Sequence, residues 1–142
     1  MCGVLGGDDS DHFTGLGLLS ELTAGAAFVA AAVALVALTP VTGWRGLLWW
    51  LAPAGLTVAG GTMLAVPVVG QEPAEWLFVL AVLPTFVGLV AAGVLGTRRV
   101  WPGWVGAGVA LLLPIMFLLP LNGFLMAVVW TSVAVTAPRD RA

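Results

Sequence analysis

The side chains most capable of metal chemistry lie together near the N-terminus. Asp8, Asp9, Asp11 and His12 offer three carboxylates and an imidazole, which are ordinary ligands for divalent cations. The segment is rich in glycine, and the chain has no second cluster of such residues to complete a coordination shell. We therefore interpret residues 1–20 as a solvated acidic tail and predict no bound metal and no cofactor.

The other reactive residue types are too few to form an active site. The single histidine cannot ligate a haem from both sides, and no Ser/His/Asp or Cys/His set is present from which to build a nucleophile. Cys2 is the one cysteine, so an internal disulfide is excluded; it is either a lipidation site or simply a terminal residue, and we favour the latter because no lipobox-like apolar run precedes it. The residue types therefore favour a protein that is not an enzyme.

The composition is that of a chain in lipid. Of its 142 residues, 61% are hydrophobic and 8% are charged, whereas a water-soluble domain has about 25% charged residues. The apolar runs lack the alternation of barrel strands, so they predict an all-α integral membrane protein. The basic residues are five arginines, with no lysine, and this bias is typical of a GC-rich prokaryotic genome.

The longest uncharged run determines the number of membrane spans. Residues 103–137 carry no charge, and as one helix they would be about 52 Å long, against a hydrocarbon core of about 30 Å. The tetrad Pro120-Leu121-Asn122-Gly123 has turn chemistry and predicts a hairpin within this run. Ser20 before Glu21 predicts the N-cap of the first helix. We predict five spans, about residues 22–38, 47–69, 76–96, 103–119 and 121–137, followed by a short tail, 138–142.

The arginines predict the orientation. Five spans place Arg45, Arg98, Arg99, Arg139 and Arg141 on one side of the membrane, whereas four spans would divide them. Basic residues in short loops favour the cytoplasm. We therefore predict a multi-pass protein of the plasma membrane with an outer N-terminus and a cytoplasmic C-terminus. The acids are expected on the outer face: Asp8, Asp9, Asp11, Glu21, Glu72 and Glu75.

Six of the seven tryptophans lie near predicted span ends. Trp44, Trp49, Trp101 and Trp104 are expected at the arginine-side boundary and Trp76 at the opposite one, because an indole suits the headgroup level.

Trp130 falls in the middle of the fifth predicted span. There its N–H would lack water, so we expect the ring to point inward and pack with Met126 and Ala134. Its N–H should then meet a carbonyl such as that of Leu80 or Trp49.

The predicted spans contain no ionisable residue in their interiors, which disfavours proton-coupled transport. The interior hydroxyls most often bond to their own helix; they are Thr57, Thr62, Thr85, Thr131 and Ser132. Pro53, Pro84 and Pro114 lie inside spans, where we favour kinks healed by neighbours over broken helices that line a substrate site. If a pocket exists, its candidate lining is Trp130, Thr85 and Thr131.

Small residues recur at intervals of four. Thr57, Gly61 and Ala65 form one row, and shorter rows are Gly55 with Ala59, Ala92 with Gly96, and Gly103 with Ala107. Such rows let helices approach closely in lipid. We favour packing within one bundle over an interface with a partner, and we expect structural roles for Gly61, Ala65, Pro120, Asn122 and Gly123.

These observations favour a non-catalytic membrane protein that acts by helix–helix contact, as an accessory subunit of a membrane complex or a homo-oligomeric scaffold. The alternative is a small transporter or a membrane protein that binds a lipophilic ligand, and a membrane enzyme comes third. The expected partners are the lipid bilayer and either a second copy of the chain or another membrane protein. Nothing in the sequence points to nucleic acid.

Overall fold

The computed structural model describes residues 15–39, 43–70, 74–118 and 122–137. These residues form α-helices and no strand, as the apolar runs without alternation predict. The predicted N-cap Ser20 lies inside the first helix, which already begins at Gly15. The helices are α1 (Gly15–Ala37), α2 (Trp44–Val69), α3 (Glu75–Gly96), α4 (Gly103–Ala110), α5 (Leu112–Leu118) and α6 (Asn122–Thr136).

The predicted fourth span is divided into α4 and α5 at Leu111. Leu111 has φ −93° and ψ 3°. Pro114 has no N–H with which to reach the carbonyl of Ala110, so the helical hydrogen-bond ladder is interrupted there. Bonds on either side continue, from the N–H of Leu111 to Ala107 O at 3.0 Å and from that of Ile115 to Leu111 O at 2.8 Å. The prolines at 53 and 84 instead stay within the continuous helices α2 and α3.

The pairs α1–α2, α2–α3 and α3–α4 each pack antiparallel. The end of α1 is joined to the start of α2 by the indole N–H of Trp49, which donates to Leu35 O at 2.9 Å. The start of α2 is joined to the segment after α3 by stacking of Trp49 on Trp101, with ring centroids 5.7 Å apart. The end of α1, the start of α2 and the segment after α3 therefore lie at the same end of the bundle.

The last two helices fold back on each other. A Cβ built on Gly108 of α4 would lie 3.2 Å from Cγ2 of Val129 in α6, which requires the chain to reverse between Leu118 and Asn122. The run 103–137 is therefore not one helix. Of the predicted turn, Pro120 lies outside the described residues, and Asn122 and Gly123 are already the first residues of α6.

The antiparallel order separates the charges. Arg45 near the start of α2 and Arg98 and Arg99 after α3 lie at one end of the bundle, here called the arginine end. Glu21 near the start of α1 and Glu75 at the start of α3 lie toward the other end. Several charged residues of the sequence analysis lie outside the described residues: Asp8, Asp9, Asp11, Glu72, Arg139 and Arg141.

Two described helical segments are long and apolar enough to cross a membrane, residues 44–69 and 79–96. The segments 21–37 and 124–136 are apolar but shorter.

Candidate functional site

A pair of stacked tryptophans lies in the core near the arginine end. Trp49 is fully buried and Trp101 is 3% exposed, and their ring planes are inclined by 22°. Both lie at the arginine end, as expected, but inside the bundle rather than on its outer surface, and their position relative to a membrane stays a prediction. Trp44 and Trp104, in contrast, are 69% and 64% exposed at the same end. Because Gly96 has no side chain, the Trp101 ring can lie directly against the end of α3.

The two buried indoles differ in their hydrogen bonding. Trp49 donates to Leu35 O, whereas Nε1 of Trp101 is buried without an acceptor among the described residues. Buried donors normally have a partner. Packing against Trp49 and the glycines of α3 and α4 therefore holds the Trp101 ring in place. The sequence analysis named Trp101 as a boundary residue and missed its burial in the core.

An apolar cleft lies where side chains of five helices converge. The space open to the centre of a water-sized sphere is about 20 Å³, close to what one water molecule needs. Its lining has no ionisable group and no hydroxyl, so it suits a small apolar group rather than an ion. The lining residues are Phe28, Ala31, Leu56, Leu89, Leu112, Leu113, Met116, Met126 and Trp130.

Trp130 lies on the bundle side of α6. It lines this cleft together with Met126, and both pack against the buried core. The expected neighbour Ala134 is exposed, and Val133 is the buried residue in the next turn. Within the described residues, no hydrogen bond joins the Trp130 indole to the carbonyl of Leu80 or Trp49, so the expected acceptor is not found.

The structure does not bring the two candidate threonines to Trp130. Thr85 is 3% exposed, and its hydroxyl donates to Ala81 O at 2.6 Å in the seam between α2 and α3. Thr131 is exposed on α6. Neither residue lines the cleft. Their spacing along the helices did not indicate that they would lie away from Trp130.

Most interior hydroxyls bond to their own helix, as predicted. Thr57 donates to Pro53 O at 2.7 Å, Thr62 to Ala59 O at 2.8 Å, and Ser132 to Val128 O at 2.7 Å. These hydroxyls are satisfied locally.

The small-residue row of α2 faces away from the bundle. Thr57, Gly61 and Ala65 are all exposed, and a Cβ added at Gly61 would meet no atom within 4 Å. The expectation that Gly61 and Ala65 pack the bundle is therefore wrong. We call Thr57, Gly61 and Ala65 the outer face of α2.

Other small residues hold α2 to its neighbours. A Cβ at Gly25 of α1 would lie 3.0 Å from Gly60 O, and one at Gly88 of α3 would lie 2.6 Å from Cα of Ala52. On α3 the buried row is Ala81, Thr85, Gly88 and Ala92. These residues are small and recur at helical spacing in the sequence. The sequence analysis included only Ala92 of this buried row among its small-residue rows.

No metal site is formed within the described part of the chain, where no three His, Cys, Asp or Glu residues are grouped. The candidate ligands Asp8, Asp9, Asp11 and His12 lie outside that part.

Comparison of the chain with models of known protein families, with curated proteins and with solved structures finds no match.

Proposed function

We propose that this chain is a five-span integral membrane protein that acts without catalysis, by contact between the outer face of α2 and a helix of a second polypeptide. In this proposal α4 and α5 together form one span. The protein is an accessory subunit of a membrane complex or a homo-oligomeric scaffold in the plasma membrane of a prokaryote.

Composition and antiparallel order support the membrane assignment. A chain with 8% charged residues cannot cover its surface with the charge that a water-soluble domain carries. Residues 103–118 and 122–136 would extend about 24 Å and 22 Å as helices, so flanking residues or local thinning of the bilayer must complete these spans. Because basic residues favour the cytoplasm, the arginine end is assigned to that side.

The outer face of α2 is the single observation that carries the contact function. Hydrophobicity does not drive helices together in lipid, so association depends on close backbone approach across small residues. Thr57, Gly61 and Ala65 provide such a surface, and within the described residues no other helix uses it. A second helix on this face would gain the packing that lipid chains cannot provide.

The test is to enlarge this face without disturbing the bundle. Gly61→Leu adds a side chain where no atom lies within 4 Å of a Cβ, so the monomer should fold. Ala30→Leu on the exposed side of α1 is the matched control. We expect Gly61→Leu to reduce cross-linked dimer or co-purified partner at least tenfold, and Ala30→Leu to leave it unchanged. Equal assembly of the wild type and Gly61→Leu would refute the contact function.

Topology has its own test. In a Cys2→Ser background, Ala74→Cys and Pro102→Cys place one thiol at each end of the bundle, since both positions are exposed. An impermeant maleimide added to intact cells should label residue 74 and not residue 102. Labelling of residue 102 alone would reverse the orientation, and labelling of both residues in intact cells would contradict a membrane span between them.

A second candidate function is binding of a small lipophilic molecule at the apolar cleft of Met116, Met126 and Trp130, which holds about 20 Å³ and must widen to admit such a ligand. Methionine side chains adapt to irregular apolar ligands. Trp130→Phe keeps an aromatic ring and deletes the donor, and it should lower the amount of any small molecule that co-purifies in mild detergent. Unchanged retention, or no co-purifying molecule in the wild type, would remove this candidate.

A further inference from the structure

The segment between α3 and α4 is a tightly bonded loop that presents two arginines. The N–H groups of Arg99 and Val100 donate to Gly96 O at 3.1 and 2.8 Å, and the N–H of Arg98 donates to Trp101 O at 2.9 Å. The Trp101 side chain anchors the loop in the core by stacking on Trp49. The backbone at residues 96–101 is therefore held from both sides.

Arg98 occupies a backbone conformation that does not suit it. Its φ is +66°, and it is the one residue other than glycine with positive φ in the part of the chain that the structure describes. Glycine avoids the clash between Cβ and the backbone there, and asparagine tolerates it better than arginine does. Backbone strain of this kind occurs at functional sites, where the side chain is needed for a purpose other than folding.

The loop is surrounded by groups that suit a membrane surface. Arg98 and Arg99 are exposed, and so is Trp104 just beyond them. At the same end, the Arg45 guanidinium lies 5.5 Å from the ring centroid of Trp44. The acids of the described ranges, Glu21 and Glu75, belong to the starts of α1 and α3, toward the opposite end.

We propose that the loop of Arg98 and Arg99 binds the phosphate of an anionic phospholipid headgroup. A guanidinium group presents a planar set of donors that matches phosphate oxygens in pairs. The headgroup of a zwitterionic lipid carries its own cation, so an anionic lipid such as a phosphatidylglycerol gains more from two adjacent arginines. Trp104 is placed to contact the lipid near its headgroup. This inference rests on the proposed membrane insertion.

The test measures lipid preference of the full chain in neutral detergent. Dioleoylphosphatidylglycerol is titrated against dioleoylphosphatidylcholine, with bound lipid counted by native mass spectrometry and thermal unfolding followed in parallel. We expect preferential binding of the anionic lipid. Arg98→Asn and Arg99→Gln should each weaken it at least tenfold, the loss expected when a charge-assisted hydrogen bond to phosphate is removed. Asparagine at residue 98 retains the left-handed backbone, so the loop should fold.

Arg45→Gln is the matched control, because it removes the same charge from the same end of the bundle. It should weaken anionic-lipid binding less than twofold, and soluble glycerol phosphate should give no stabilisation. Equal losses for all three variants would replace the loop site with a diffuse charge effect. Stabilisation by glycerol phosphate alone would show a site for a free anion. Equal losses for the three variants, or stabilisation by glycerol phosphate alone, would overturn the proposal.

Extraction of membranes with alkaline carbonate separates this proposal from the proposed function. If the chain is released, both fail. If it stays in the membrane but binds the two lipids equally, the lipid site alone fails.

Discussion

The α2 and α3 backbones approach closely at Gly88, and replacing this glycine by alanine tests the packing of the bundle. A Cβ at residue 88 would lie 2.6 Å from Cα of Ala52 and from the carbonyl carbon of Leu51, and closer still to the Ala52 nitrogen. These are backbone atoms, so no rotamer change can move them away. The helices themselves must separate.

The size of the effect follows from the required separation. Restoring a normal carbon contact of about 3.5 Å moves the helices apart by about 1 Å, and a gap of 0.5–1 Å loses about a quarter to a half of the dispersion energy of each atom pair. Each pair contributes about 0.1–0.2 kcal/mol, and the seam brings tens of pairs together. The expected loss is about 2–3 kcal/mol, the range of overpacked cores, less about 1 kcal/mol because alanine favours the helix.

The free energy of unfolding is measured by titrating mixed micelles with sodium dodecyl sulfate and following near-ultraviolet circular dichroism, because the stacked Trp49 and Trp101 report tertiary packing. Gly88→Ala should be destabilised by about 1–2 kcal/mol, the net of the overpacking and helix terms. Gly61→Ala is the matched control, since a Cβ there meets nothing within 4 Å. It should be neutral or up to about 1 kcal/mol more stable. If Gly88→Ala is as stable as Gly61→Ala, the described approach of α2 and α3 is wrong.

Two further changes test the arginine end of the bundle by thermal unfolding. Trp49→Phe removes the indole donor to Leu35 O, which then accepts only from the Thr39 hydroxyl at 3.2 Å, and should cost about 0.5–1.5 kcal/mol, whereas Trp44→Phe at an exposed site should change nothing; equal effects would contradict the role of this hydrogen bond. Arg98→Gly relieves about 1–2 kcal/mol of left-handed strain against about 0.5–1 kcal/mol of added chain entropy, so it should be neutral or slightly stabilising. Arg99→Gly loses the same charge without that relief and should be less stable, and the reverse order would show that Arg98 is not strained.

The sequence alone determined which stretches form helices. Long apolar runs without alternation leave the helix as the structure that satisfies the backbone in an apolar environment, and turn residues separate the runs. The reversal before α6 could be predicted because the uncharged run 103–137 is longer than a bilayer requires. Arg45, Arg98 and Arg99 were predicted to lie at one end because the two loops that carry them are separated by two antiparallel helices, α2 and α3. The break at Leu111 was not predicted, because the same residue type, proline, leaves α2 and α3 continuous at Pro53 and Pro84.

Which side of each helix is buried was decided only by the tertiary structure. Gly55 and Gly61 both belong to rows of small residues at intervals of four, yet the first is buried and the second is exposed. In a helix that is apolar on all sides, the usual alternation of apolar and polar faces carries no information about the core. The small-residue rows of α2 therefore predicted close packing correctly at Gly55 and incorrectly at Gly61.

The candidate site shows the same division. That Trp130 would point into the bundle follows from the cost of an indole donor in lipid, which is a property of one residue. The burial of Trp101 and Thr85 depends instead on the partners that α2 brings to them, Trp49 and Gly55. Such contacts join residues far apart in the chain, and local spacing cannot determine them because they exist only after the helices have packed.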